Sequence, residues 1–182
     1  VVRQANAKEP IKTLDGTDYI LEPPVLVIAD SHGPVGLAGV MGGANSEVTP
    51  ETTEIVLEAA TFDPVNTRIT SSGLRLRTEA SLRFEKGLNP ELAEIALRRA
   101  TALILDIAGG KARNGLIDVT AESTQRDPVR FSINRMRRIL GTDFANHLDN
   151  GMAESSRILK SLGFEVTHIN DEEADVTPPY WR

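Results

Sequence analysis

Gly36-Leu37-Ala38-Gly39-Val40-Met41-Gly42-Gly43, then Ser46-Glu47-Val48, then Glu54-Ile55-Val56-Leu57-Glu58-Ala59-Ala60 and Leu76-Arg77-Thr78-Glu79-Ala80-Ser81-Leu82-Arg83-Phe84 form the stretch around which the chain is arranged. Four glycines in eight positions let the backbone run close to another group, because each lacks a Cβ and tolerates positive φ. The apolar run Ile55-Val56-Leu57 predicts a buried strand over residues 54 to 62 that carries a lone carboxylate, Glu58. A buried acid beside bare backbone has to be hydrogen-bonded, paired or protonated. Glu58 therefore reads either as structural glue or as a reader of something polar.

Outward from this stretch, the preceding residues read as sheet. Val1 to Ala5 suggests a short strand, and Ile11 to Leu21 a hairpin with Asp15-Gly16 at a type I′ tip. After the Pro23-Pro24 break, Leu26 to Asp30 predicts a buried strand, and Ser31-His32-Gly33-Pro34 a turn into the glycine-rich segment. Asp63-Pro64 is expected to end the strand that begins at Glu54. Residues 65 to 86 then concentrate the positive charge of an acidic chain in Arg68, Arg75, Arg77, Arg83 and Lys86. That cluster reads either as a solvated face or as a phosphate-contacting edge.

Asn89-Pro90-Glu91 opens the best helix signal, with a cap residue, a proline suited to the first turn and an acid at the positive end of the dipole. Leu92, Ile95, Ala96, Leu103, Ile104 and Ile107 recur at helical spacing, and Gly109-Gly110 stops the run. This helix is expected to lie across the sheet and supply much of the first core. Leu116 to Val119 suggests a short strand, and Ala121 to Asp127 a polar connector. The expected division is residues 1–122 and 127–182. In the second part, a strand at 129–131, a helix capped by Ser132, a helix from about Met152 to Leu162 and a hairpin around Asp171-Glu172-Glu173 suggest a small winged-helix-like α+β unit. Its Arg135, Arg137 and Arg138 are diluted by neighbouring acids, so DNA is not the expected partner. The fold class is α+β: a mixed sheet with packed helices, followed by the small unit.

Composition narrows the chemistry. The 182 residues are 40% hydrophobic but only 4% aromatic, so burial must come from aliphatic side chains. A net charge of −6 argues against nonspecific coating of nucleic acid. No cysteine is present, which removes disulfides, thiolate chemistry and cysteine-zinc sites. His32, His147 and His168 lack ligand spacing, and no metal site is expected. No apolar run approaches the roughly 20 residues of a membrane span. The expected location is the cytoplasm, and the Val1-Val2 opening and Trp181-Arg182 end read as a piece cut from a longer polypeptide.

No nucleophile elbow is present, and Gly36-x-x-Gly39-x-x-Gly42 matches neither the dinucleotide fingerprint nor a P-loop. Any reaction would have to rely on backbone amides, hydroxyls and one carboxylate, which suits the positioning of water. Gly42-Gly43 reads as a bulge or as a ligand platform, Glu58 as a partner of a nearby arginine or as a functional acid, and Thr78 as a helix cap or as a pocket residue.

Three blocks together carry a resemblance. They are Gly39-Val40-Met41-Gly42-Gly43-x-x-Ser46-Glu47-Val48, Leu57-Glu58-Ala59-Ala60-x-Phe62, and Arg77-Thr78-Glu79-Ala80-Ser81-x-Arg83-Phe84-Glu85-x-Gly87-x-Asn89-Pro90. Their order and spacing resemble the editing-domain portion of bacterial phenylalanyl-tRNA synthetase beta subunits. Leu159-x-x-Leu162-Gly163-Phe164-Glu165-Val166 and Pro178-Pro179-Tyr180-Trp181-Arg182 look like the small winged-helix-like domain that follows it, so the resemblance covers essentially the whole chain.

The resemblance implies hydrolytic editing of tyrosine mischarged onto phenylalanine tRNA. A synthetic pocket for phenylalanine gains little by excluding one hydroxyl, so a second site has to reward it. By resemblance, Glu58 would accept a hydrogen bond from the tyrosine phenol. Gly39 and Gly42 would approach the ester, with water positioned by Gly42 and Thr78, and Ala80 would leave room for the ring. Arg68, Arg75, Arg77 and Arg83 would guide the tRNA. The implied parent is a heterotetramer of two alpha and two beta subunits that uses ATP and magnesium, whereas no cofactor is implied for these residues. The family's Pro-Leu-His-Ala-Phe-Asp block, whose histidine helps form the editing site, is not found in this sequence. The competing reading is a noncatalytic scaffold or RNA-binding segment of the synthetase.

Overall fold

The computed structural model describes residues 1–119, 126–141 and 151–182. The chain divides into two compact units, Val1–Asn114 and Gly115–Arg182. The polar connector expected at 121–127 lies mostly outside the described residues.

The first unit is built on short antiparallel strands. β1 (Val2–Gln4), β4 (Leu26–Ala29), β5 (Pro34–Leu37) and β6 (Met41–Gly42) form one sheet in the order β1-β4-β5-β6. β2 (Glu9–Lys12) and β3 (Asp18–Leu21) pair as the expected hairpin, with Ile11 opposite Tyr19. The register sets Val2 against Ile28 and Val27 against Leu37, and slips at a bulge between Ile28 and Ala29. Alternation along these strands turns Ile11, Leu21, Val27, Ala29 and Leu37 into one core, joined by Ala5, Val40 and Leu76. The hairpin tip differs from the type I′ expectation. Gly16 has φ +80° while Asp15 is not left-handed, and the Asp15 carboxylate instead accepts hydrogen bonds from Thr13 Oγ1 (2.5 Å) and the Thr17 N–H (3.1 Å). A loop of one more residue with a single glycine in the left-handed region meets the same strand twist.

Helices α1 (Pro64–Gly73), α2 (Glu79–Phe84) and α3 (Glu91–Ala108) follow. α1 corrects the reading of Asp63-Pro64 as a strand end. The Asp63 carboxylate accepts the Asn66 N–H at 2.6 Å and Pro64 sits at the first helical position, so the same dipeptide starts a helix. Three further expectations are overturned. Residues 54 to 62 form no strand, and Ile55, Val56 and Leu57 are exposed. Residues 116 to 119 form no strand either, and Leu116, Ile117 and Val119 lie open. α3 has the predicted extent, with the Asn89 side chain accepting the Glu91 N–H at 3.0 Å, yet none of its residues is buried. The reason is common to all three: an apolar pattern becomes burial only against a partner surface, and among the described residues these apolar positions gain at most partial cover.

The second unit holds a three-stranded antiparallel sheet in the order β7-β9-β8, formed by β7 (Val129–Ser132), β8 (Glu165–His168) and β9 (Glu173–Thr177). Helices α4 (Ile133–Leu140) and α5 (Gly151–Ser161) accompany it, and Ile133, Met152, Ala174 and Val176 make its core. Gly141 and Gly163 take positive φ just after the two helices, as their positions in the sequence predict. Ser132 occupies the cap position of α4 without a side-chain capping bond.

Candidate functional site

The glycine-rich segment turns tightly between β5 and β6. Gly39 takes φ +68°, and a Cβ there would stand 3.1 Å from both the Phe62 and the Phe84 ring. Those rings pack together with centroids 5.3 Å apart. Gly39 is thus the floor beneath an aromatic pair contributed by the segment after Glu58 and by α2. Gly36 pairs with Gly42 across the β5–β6 ladder, and a Cβ on Gly42 would meet the Leu14 side chain at 3.1 Å. These glycines accommodate close protein packing, and the same bare backbone borders the convergence of Gly39, Phe62 and Phe84.

Thr78 joins this convergence. Its hydroxyl donates to the Val40 carbonyl at 2.7 Å and accepts the Ser81 N–H at 3.0 Å, while the Ser81 hydroxyl accepts the Thr78 N–H at 3.0 Å. This reciprocal capping box starts α2 and ties it to the residue after Gly39. One lone pair of the hydroxyl remains for another donor. Ala80 is half-buried in the first turn of α2.

Glu58 stands in a segment without regular secondary structure. It makes no hydrogen bond or ion pair among the described residues; Arg77 is engaged elsewhere, with Glu85 at 3.3 Å. The residue is exposed as a whole, yet desolvation by surrounding protein atoms pushes its carboxyl above the usual carboxylate range. An acid with no donor among the described residues, and with its carboxyl pushed up by partial burial, is one that a hydroxyl donor would stabilise.

The four arginines separate into two groups. Arg68, Arg75 and Arg77, with Ser71, Ser72 and Glu85, line a cleft of about 330 Å³. Arg83 stays on α2, bonded to the Glu79 carbonyl at 3.0 Å and paired with its carboxylate at 3.2 Å. Sequence reading missed Ser71, Ser72 and Glu85. The spacing from Arg68 to Ser71 and Ser72 is one face of α1, which recognition of that helix would have exposed. Among the described residues no group of three or more His, Asp or Glu is placed to hold a metal, and no helix is long and apolar enough to cross a membrane.

Comparison with known proteins places these features in context. Residues 1–109 match the B3/4 domain family. Over its full length the chain is 47% identical to the phenylalanine–tRNA ligase beta subunit of Dehalococcoides mccartyi strain CBDB1, 46% to that of Moorella thermoacetica and 42% to that of Syntrophotalea carbinolica. It spans 23%, 22% and 22% of those subunits respectively. The chain belongs to the B3/4 domain family, in a sequence context similar throughout to bacterial phenylalanine–tRNA ligase beta subunits.

Proposed function

We propose that residues 1–122 belong to a hydrolytic editing site that removes tyrosine mischarged onto phenylalanine tRNA, within a phenylalanine–tRNA ligase of alpha and beta subunits. The single observation that carries this reading is Glu58, a carboxylate that makes no hydrogen bond or ion pair among the described residues. A carboxylate committed to Arg75 or Arg77 would have favoured the scaffold reading.

The selectivity follows from hydrogen-bond accounting. The tyrosine phenol donates to the ionised Glu58 carboxylate and supplies the hydrogen bond it lacks. A phenylalanine ring in the same place strips water from the carboxylate and returns nothing. Gly39 and Gly42 keep side chains away from the ester, the free lone pair of Thr78 holds a proton of the attacking water, and half-buried Ala80 leaves width for the ring. Preorganisation is supplied by the capping box and the Thr78–Val40 bond, which fix α2 against the glycine turn. Residues 127–182 are proposed as the small winged-helix-like unit of the same subunit. Aminoacylation would lie elsewhere in the parent enzyme with its ATP and magnesium. The described residues offer no ligand set for that metal, and no step here uses it.

The test is deacylation of tyrosyl- and phenylalanyl-tRNA, both charged on phenylalanine tRNA, by the parent heterotetramer. Glu58→Ala is expected to cut the preference for the tyrosyl species about 10- to 100-fold, as befits the loss of one charge-assisted hydrogen bond. Because desolvation raises the Glu58 pKa, the carboxylate is neutralised on acidification at a higher pH than an ordinary glutamate. The tyrosine preference of the parent should accordingly fall as pH drops, and Glu58→Ala should flatten that dependence. Unchanged discrimination in Glu58→Ala sinks the assigned role and leaves the scaffold.

A further inference from the structure

The geometry points to a phosphate-binding cleft at the C-terminal end of α1, formed by Arg68 and Arg75 with Arg77, which we propose holds a phosphodiester of the RNA strand brought to the editing site. This deepens the reading above and rests on it only for the identity of the RNA.

Three observations converge on the cleft. The first is charge: three guanidinium groups and one carboxylate line about 330 Å³ in a chain whose net charge is −6. Arg68 and Arg75 make no ion pair among the described residues, so the cleft keeps two uncommitted cations. The second is backbone conformation. Arg75 takes φ +52°, one of two non-glycine residues in the left-handed region among the described residues, and it stands just past the end of α1 where glycine is the usual residue. The local frame is held by the Arg75 N–H on the Ser72 carbonyl (3.2 Å) and the Leu76 N–H on the Ser71 carbonyl (2.9 Å). Placing arginine there accepts a backbone cost of the kind found at functional positions. Helix-dipole attraction accounts for cations at 75 and 77, but Arg68 lies in the middle of α1 and gains little from it.

The third observation is rigidity beneath the charge. The Ser71 hydroxyl donates to the Leu76 carbonyl at 2.8 Å and lies 3.2 Å from Ser81 Oγ, which ties the cleft floor to α2. Since Ser81 completes the Thr78 capping box, the cleft and the glycine turn share one hydrogen-bonded frame. Glu85 holds Arg77 at 3.3 Å and fixes its guanidinium at the rim. Arginine forks on a rigid floor suit phosphate oxygens, which they engage in bidentate fashion.

The experiment uses the parent heterotetramer carrying Arg68→Ala with Arg75→Gly. Glycine relieves the φ of +52°, so the backbone is kept while the side chain is lost. Binding of uncharged phenylalanine tRNA is measured across a salt series, with inorganic phosphate as a competing probe. The double variant is expected to bind about tenfold more weakly, with the slope of log affinity against log salt reduced by about 1.5, as for two lost phosphate contacts. KM for deacylation should rise while kcat and the tyrosine preference stay, which separates this cleft from Glu58. An unchanged salt slope overturns the proposal. So does a tenfold loss of affinity for inorganic phosphate with unaltered tRNA binding, which would assign the cleft to a free anion. If Glu58→Ala leaves discrimination intact but the salt slope still falls, the cleft stands and the editing reading alone fails.

Discussion

Two regions of the first unit use the same kinds of aliphatic residue to opposite effect. In the strands up to Gly42, Leu21 and Val27 are 0% exposed; in the segment around Glu58, Val56 is 98% exposed, and Ile107 of α3 is 80% exposed. Hydropathy does not separate them. What differs is that every strand from β1 to β6 has an antiparallel neighbour, β1 reaching β4 across more than 20 residues, while Ile55, Val56 and Leu57 lie in no sheet and none of the residues of α3 is buried. Apolar sequence supplies the driving force for burial, and only a partner at the right register realises it.

The comparison can be broken from either side. The largest effect should come from Leu21→Ala, which removes a fully buried side chain from the first core and should destabilise that unit by about 2–5 kcal/mol, read as faster hydrogen exchange of the β3 and β4 amides. A loss under about 1 kcal/mol would mean that this core is no better packed than the open segment. Gly39→Ala should cost about 1–3 kcal/mol by the same measurement, because its φ of +68° and two ring contacts at 3.1 Å leave no room for a methyl group. Near-neutrality there would show that the turn, and with it the proposed pocket floor, is not held by Phe62 and Phe84. The smallest effect belongs to Val56→Ser, expected within about 0.5 kcal/mol of the unsubstituted chain. A clear destabilisation by Val56→Ser would prove that the segment around Glu58 is covered in solution and would bring the two regions together.

Local signals in this chain were legible wherever the responsible interaction spans few residues. The Ile11 to Leu21 hairpin, the stops at Gly109 and Gly163 and the Thr78 cap all rest on neighbours within about ten positions, and each was readable. Asp63-Pro64 shows the limit of such reading. The dipeptide fits both the end of a strand and the start of a helix, and the choice fell to the Asn66 N–H on Asp63, with the Asn66 side chain donating to the Pro24 carbonyl at 2.8 Å from 42 residues away. Of the candidate site, the residue types and their blocks were visible, but the floor at Gly39 depends on aromatic rings that arrive from positions 62 and 84.

By itself, then, the sequence determined the α+β class, the glycine turn, the unusual carboxylate at 58 and the concentration of arginine after residue 65, because these follow from residue chemistry and short-range periodicity. Only the tertiary structure decided that Glu58 has no partner among the described residues, that Arg77 belongs to Glu85, and that Arg68 and Arg75 share a cleft that Arg83 does not line. Pairing is a question of distance between side chains, and distance is set by how helices and strands pack rather than by their order along the chain.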